Sequence, residues 1–120
     1  MNIKVIIPTK PINYKNKKWG YEIWIHNSSN YCGKILVIYK NKSSSLHYHN
    51  LKNETFYIQK GKISMKTIDK NNNVSEFEML KGDVLEIPKG LKHQFTGIDY
   101  KSEIFEVSTQ HFDTDSISNL

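Results

Sequence analysis

Apolar and β-branched residues recur along the chain in short runs that polar, turn-forming residues interrupt. No segment carries a sustained helical period of apolar positions, so the pattern indicates strands throughout. The predicted strands are Ile3–Ile7, Gly20–His26, Lys34–Tyr39, Ser45–His49, Glu54–Lys60, Lys62–Ile68, Val74–Leu80, Val84–Ile87, Lys92–Gly97 and Ser102–Thr109.

The segments between these runs favour tight turns. Asp69–Asn73 is rich in residues that tolerate a left-handed backbone and predicts a hairpin tip. Lys81-Gly82-Asp83 and Pro88-Lys89-Gly90 are further turn signals. Regular short strands at this spacing are typical of an antiparallel sandwich or barrel, and 120 residues suffice for one core. We therefore expect an all-β fold with a single domain over residues 1–120.

Alternation along the strands assigns the side chains to two faces. If His47 and His49 point inward, Leu46 and Tyr48 point outward. Tyr57 lies on the outer face of the next strand, whose inner face carries Glu54, Phe56 and Ile58. Outward-facing apolar residues need cover, and we expect a homodimer to supply it.

Composition narrows the possible partners. The net charge is +5 and every basic residue is a lysine, spread along the chain, so no nucleic-acid partner is expected. The densest group, Lys15, Lys17 and Lys18, is interpreted as a solvated loop. Without arginine, any bound phosphate must be held by lysine and backbone donors. The longest aliphatic run, Ile35–Ile38, is too short for a membrane span.

Cysteine usage and the N-terminal residues bear on the cellular compartment. Cys32 is the one cysteine, which excludes an internal disulfide and fits a reducing cytosol. The first residues lack the long apolar region of a signal peptide. We expect a cytoplasmic protein with no membrane partner.

Four residues form a candidate set of metal ligands. His47 and His49 are two positions apart, so a strand directs both imidazoles to one side. Glu54 follows five residues later, and His93 comes after the Pro88-Lys89-Gly90 turn. Nitrogen and oxygen donors in this combination suit one divalent metal ion, with zinc, manganese, iron, nickel and cobalt all remaining possible.

The spacing of these residues resembles the cupin superfamily. His47-x-His49-x(4)-Glu54-x(6)-Gly61 is similar to its first motif, over residues 47–61, and Gly82-x(5)-Pro88-x-Gly90-x(2)-His93 to its second, over 82–97. The asparagine that usually ends the second motif is replaced by Gly97. The resemblance implies a double-stranded β-helix, or cupin jelly roll, with the metal near one mouth of the barrel.

Two further stretches resemble particular cupins. Lys18-Trp19-Gly20-Tyr21-Glu22 and the tail Ile104–Ser116 are similar to the type II mannose-6-phosphate isomerase domain and the D-lyxose isomerase-like group. This implies a metal-dependent isomerase or epimerase of the aldose–ketose type, acting on a sugar or sugar phosphate in carbohydrate or surface-polysaccharide metabolism. Ile117-Ser118 stands where such tails often continue with Tyr-Arg, which favours a free or nucleotide-linked sugar.

An isomerase needs a base that moves a proton between adjacent carbons. Glu106 shares a strand face with Ile104 and Ser108, so it is either a desolvated base or an outer-face residue. Glu22, after the Trp-Gly pair, and His111, in the tail, are the other candidates.

Three residues are candidates for binding the substrate. Lys34 either points inward as a ligand for phosphate or hydroxyl groups or is a solvated strand lysine. Phe95 shares the face of His93 and is expected to line the pocket, while Asp113 lies in a tail that can cover it.

The same ligand set admits other functions. Three histidines and a glutamate also suit iron and dioxygen, so a non-haem metal dioxygenase is an alternative. A metal-containing sugar-binding module without turnover is another, because fold alone does not decide function.

Overall fold

Short strands make up most of the chain in the computed structural model, which describes residues 6–11 and 13–118. Within these residues nine strands and one 3₁₀ turn form. The elements are β1 (Asn13–Lys17), β2 (Gly20–Asn27), β3 (Cys32–Tyr39), β4 (Glu54–Lys60), β5 (Lys62–Ile68), β6 (Val74–Leu80), β7 (Val84–Ile87), β8 (Lys92–Gly97), β9 (Lys101–Ser108) and a 3₁₀ turn at Asp113–Asp115.

The strands form two antiparallel sheets. The larger has the order β1-β2-β3-β9-β4-β7 and the smaller the order β6-β5-β8. The segment between β3 and β4 runs beside β8 through isolated bridges, Ser43 to Thr96 and His47 to His93. The prediction of an all-β jelly roll is confirmed.

The core lies between the inner faces of the two sheets. Every second residue of β4 is buried, as predicted for Glu54, Phe56 and Ile58. The buried apolar cluster consists of Trp19, Leu36, Ile38, Phe56, Ile58, Ile63, Met65, Met79, Ile87, Phe95 and Ile104. Within this cluster Trp19 packs edge-on against Phe95, with the ring centroids 4.9 Å apart.

The prediction of a continuous strand at Ser45–His49 is wrong, because this segment makes only isolated bridges. His47 bridges to His93, whereas the next residue, Tyr48, bridges to Ile117 of the C-terminal segment. Successive residues therefore pair with different neighbours, and no continuous ladder can form. His47 and His49 nevertheless point to one side, with their ring centroids 5.1 Å apart.

The N-terminal region differs from the prediction in two places. Lys15 and Lys17 lie in β1 rather than in a loop, because an edge strand needs only the backbone ladder with β2 and tolerates fully exposed side chains. Of the predicted strand Ile3–Ile7, residues 3–5 lie outside the described residues, and Ile6 and Ile7 are not in a strand.

Gly97 has a structural reason to replace the expected asparagine. A side chain at this position would collide with the backbone carbonyl group of Tyr39. The Gly97 amide donates to the Lys42 carbonyl oxygen, and its own carbonyl accepts from Asn41, so the backbones run in direct contact. The chain that leads from β3 to the histidines can cross β8 this closely only over a glycine.

Among the described residues, no helix is long and apolar enough to cross a membrane.

Candidate metal centre

His47, His49 and His93 meet at one mouth of the barrel. Their candidate ligand atoms all lie within 4.8 Å of one another. His47 and His93 exchange two backbone hydrogen bonds, of 3.1 and 2.9 Å, which fix the segment before β4 against β8. This exchange brings together two motifs that are far apart in the sequence.

Each of the three rings has its Nδ1 atom held by a backbone carbonyl oxygen. The acceptors are Ser45 at 2.8 Å from His47, Asp115 at 3.0 Å from His49 and Leu91 at 2.9 Å from His93. Because a carbonyl oxygen only accepts, each Nδ1 must carry the proton, and each Nε2 keeps its lone pair. This tautomer is the one that a metal-binding imidazole needs.

The environment also keeps two of these rings uncharged. Burial and the neighbouring His93 lower the pKa of His47 to about 4. Burial likewise lowers the pKa of His49, against the opposing effect of Glu54. Neutral imidazoles at neutral pH can bind a cation without first losing a proton.

Glu54 brings a carboxylate to the same point from the first residue of β4. Its Oε1 atom lies 3.0 Å from Nε2 of His93 and 3.5 Å from Nε2 of His49. Burial alone would raise the pKa of Glu54, but the positive charge of Lys52 and other neighbours outweigh it and hold that pKa well below its usual range. The four predicted ligands thus lie together.

Two buried atoms of this cluster lack a hydrogen-bonding partner. They are Oε1 of Glu54 and Nε2 of His93, which face each other without the geometry of a hydrogen bond. With the His93 proton on Nδ1, both atoms present lone pairs, and two lone pairs at 3.0 Å repel unless a cation lies nearby. The donor set and this unsatisfied pair fit a divalent metal ion.

Three of the four candidate ligands, His47, His49 and Glu54, line a cavity of about 520 Å³. Its volume is within the range of small-molecule sites, ~300–1,000 Å³. All six residues predicted to act in catalysis or substrate binding line it: Glu22, Lys34, Phe95, Glu106, His111 and Asp113. Lys15, Lys17 and Lys18 line it as well, with exposed side chains.

The comparisons with known proteins agree with this architecture. The sequence profile of the cupin family matches residues 20–119, which is most of the chain. The chain belongs to the cupin family. No curated protein sequence matches this cupin.

Solved structures with a similar fold share little sequence with this cupin. Oxalate decarboxylase from Bacillus subtilis superposes with a TM-score of 0.81 at 18% identity, covering 89% of this chain and 30% of that one. The capsular polysaccharide assembling protein CapF from Staphylococcus aureus gives 0.79 at 19% identity, covering 91% and 34%. The chain therefore spans about a third of these proteins' length, and the likeness establishes the fold alone.

Glu106 lies on the inner face of β9. Of its two predicted positions, the desolvated one is therefore correct and the one on the outer face is wrong. Its side chain is buried beside Lys34 and Phe56 on the neighbouring strands. Its Oε2 atom accepts hydrogen bonds from Lys52 at 3.0 Å and from Ser108 at 3.1 Å. Burial, followed by repulsion from Glu54, raises the pKa of Glu106 despite the nearby lysines.

Lys34 is also buried, so the interpretation as a solvated strand lysine is wrong. Its Nζ atom lies 4.0 Å from the ring centroid of Trp24 and 3.8 Å from Oε1 of Glu22. The Trp24 indole donates to the same Glu22 oxygen at 2.9 Å. Burial lowers the pKa of Lys34. Glu22 is therefore held by two neighbours at the wall of the cavity.

Lys52 is a buried residue of the cavity that the sequence pattern did not single out. Its buried Nζ atom lies 3.2 Å from Oε2 of Glu54, and it donates at 3.0 Å both to Glu106 and to Nδ1 of His111. Burial would lower the pKa of Lys52, but the two carboxylates reverse that effect and raise it. The available signal was its position two residues before the inward-facing Glu54.

His111 and Asp113 close the cavity from the C-terminal segment. Because Lys52 can only donate, Nδ1 of His111 accepts, and its Nε2 donates to Asp113 at 3.1 Å. The ring packs edge-on against Trp24. Burial and the charges of Lys34 and Lys52 lower the pKa of His111 to about 4.

Proposed function

We propose that this cupin is a metal-dependent isomerase or epimerase of sugars or sugar phosphates, of the aldose–ketose type, in carbohydrate or surface-polysaccharide metabolism. The observation that carries the proposal is the buried pair of Lys52 and Glu106 beside the histidine cluster, in a cavity of small-molecule size. The pair places a candidate proton carrier next to a candidate metal site.

The ligands would be His47, His49, His93 and Glu54. A divalent metal bound there would polarise the carbonyl group and neighbouring hydroxyl of an open-chain sugar, which would ease removal of the proton from the carbon that carries this hydroxyl. Oxalate decarboxylase, whose fold is similar, has Mn(II) centres. Manganese is therefore the first metal to use when the metal-free protein is reconstituted, although the donor set equally suits zinc, iron, nickel and cobalt.

Glu106 is the proposed base. Its bonds from Lys52 and Ser108 both use Oε2, so we assign proton transfer to Oε1. Burial raises the pKa of Glu106, which gives its carboxylate a greater affinity for a proton at neutral pH. Lys52 holds the side chain in place while the proton moves between adjacent carbons.

The remaining cavity residues serve substrate binding in this proposal. Lys34 supplies a buried cation for a hydroxyl or phosphate oxygen, and Phe95 forms part of the apolar wall. His111 and Asp113, whose side chains bond to each other, cover the opening from the tail. CapF, a capsular polysaccharide assembling protein with a similar fold, supports the assignment to sugar chemistry.

Solvent deuterium incorporation tests the proposal. The protein, loaded in turn with each candidate metal, is incubated in deuterium oxide with free, phosphorylated and nucleotide-linked aldoses and ketoses. We expect deuterium at the carbon beside the carbonyl of one sugar, detected by NMR. Glu106→Gln should keep its metal and lose the exchange, while Glu103→Gln, on the outer face of the same strand, should retain it.

Two other results would contradict the isomerase proposal. Oxygen consumption by the iron-loaded protein, without deuterium exchange into any sugar, would identify a dioxygenase. Tight binding of a sugar without exchange under any metal would identify a binding module.

A further inference from the structure

The face of the larger sheet that points away from the core carries a continuous apolar row. One residue from each of the six strands takes part, and each is the direct cross-strand partner of the next. We call this set the outer row: Tyr14, Ile23, Ile35, Phe105, Tyr57 and Val84.

The outer row is open to solvent in the described chain. Tyr14 and Val84 at its two ends are 59% and 61% exposed and Tyr57 is 43% exposed, while Ile23, Ile35 and Phe105 are half-buried. Val107, which is also exposed, lies beside the row on β9 and extends the apolar surface. An apolar patch that crosses a whole sheet is larger than the scattered apolar residues of an ordinary monomer surface and marks an interaction site.

We propose that the outer row is the interface of a homodimer with two-fold symmetry. The two-fold axis would run parallel to the strands, over the line between β3 and β9. It would stack the outer faces of the two copies and reverse the order of the row in the second copy. Ile35 then meets Phe105 of the second copy. By the same rotation Ile23 meets the second copy's Tyr57, and Tyr14 meets its Val84.

This pairing places an aromatic side chain against an aliphatic one at all three positions. The row is thus complementary to itself, which favours a second copy over an unrelated partner. Five strand spacings make the face about 24 Å wide, and with strands of similar length it offers roughly 500 Å² in projection. Accessible area exceeds projected area, so the face approaches the ~800 Å² that each partner of a stable interface buries.

The proposed interface is independent of the metal centre, because the row and the cavity lie on opposite faces of the sheet. Lys34, Phe56 and Glu106, the inward neighbours of row residues, are all buried. Loss of the dimer should therefore leave metal content unchanged.

Sedimentation velocity with paired charge substitutions tests the proposal. The wild type should give a sedimenting mass of twice the 14.0 kDa of the chain. Tyr14→Glu and Val84→Lys, both at exposed positions, should each sediment as monomers. An equimolar mixture should recover the dimer mass. In a mixed dimer the new glutamate at position 14 faces the new lysine at position 84, and the other contact keeps the native Tyr14 and Val84.

Tyr100→Glu, at an exposed position off the row, is the matched control and should remain dimeric. Circular dichroism and metal content verify that each variant is folded. A monomeric wild type would overturn the proposal, as would row variants that stay dimeric. Two monomeric variants that fail to recover the dimer on mixing would overturn the pairing that defines this interface.

Discussion

The backbone carbonyl oxygen of Asp115 accepts a hydrogen bond from Nδ1 of His49 at 3.0 Å. The carboxylate of the same aspartate accepts from the backbone amides of Asn50, Leu51 and Lys52. One buried residue of the C-terminal segment thus orients a candidate metal ligand and fixes the loop that follows it. The tail therefore supports the candidate metal centre, although none of the four candidate ligands lies in it.

Asp115→Ala should weaken metal binding. Removing the carboxylate leaves three backbone amides without their acceptor and loosens the loop that carries His49. Because the hydrogen bond from His49 to the Asp115 backbone oxygen survives this change, the expected loss of metal affinity is about 10-fold, the lower end of the range for losing a group that positions a ligand. Competition with a chromophoric chelator measures the Kd. Asp99→Ala, in an exposed loop, is the control, and an unchanged Kd for Asp115→Ala would refute this role.

Lys52 and Glu106 should be strongly coupled in stability. Lys52→Met leaves two buried carboxylates without their cation, and breaking a buried ion pair costs about 3–5 kcal/mol. Glu106→Gln in the same chain removes one of those charges, so the double variant should be less destabilised than the sum of the single variants. Urea unfolding of the four proteins measures this coupling. Additive losses would show that the pair does not interact.

Gly97→Ala should destabilise the fold by about 1–3 kcal/mol, because the added methyl group meets the Tyr39 backbone carbonyl and the chain must shift. Gly33→Ala is the matched control, since a methyl group on that strand glycine has open space around it. Thermal unfolding compares the two variants. Equal melting temperatures would mean that the crossing over β8 is not tightly packed.

His111 should make the metal-free protein less stable in mild acid. Its folded pKa of about 4 lies below the ordinary value of 6.5, so the unfolded chain binds a proton between these values that the folded chain does not. The free energy of unfolding therefore falls as the pH drops from about 6.5 towards 4. The destabilisation caused by His111→Gln should shrink over this range in urea titrations. A constant difference would place the His111 pKa near its ordinary value.

Much of the fold follows from alternation in the sequence. Glu54–Lys60 and Val74–Leu80 were predicted residue for residue, because polar turns bound each run clearly. β1 could not be predicted in this way, since all its side chains are exposed and only backbone pairing with β2 defines it. Ser45–His49 has the composition of a strand, but its residues bridge to two different segments.

The candidate site was predictable where spacing encodes it and not where tertiary contacts create it. The motif spacing of His47, His49, Glu54 and His93 identified the cluster that the fold assembles. The burial of Lys52 depends on Glu106 and His111, which follow it by more than fifty residues. The position of Lys52 two residues before Glu54 indicated which way its side chain points, but nothing local indicated that the Glu106 carboxylate and the His111 imidazole would enclose it.

Isothermal titration of the metal-stripped protein shows whether the histidine cluster binds one divalent metal ion. We predict one ion per chain for the wild type and for His26→Ala, whose ring stacks on Tyr31 away from the cluster. His49→Ala should lose most of this binding. Metal binding by His49→Ala with the affinity and stoichiometry of the wild type would contradict the account.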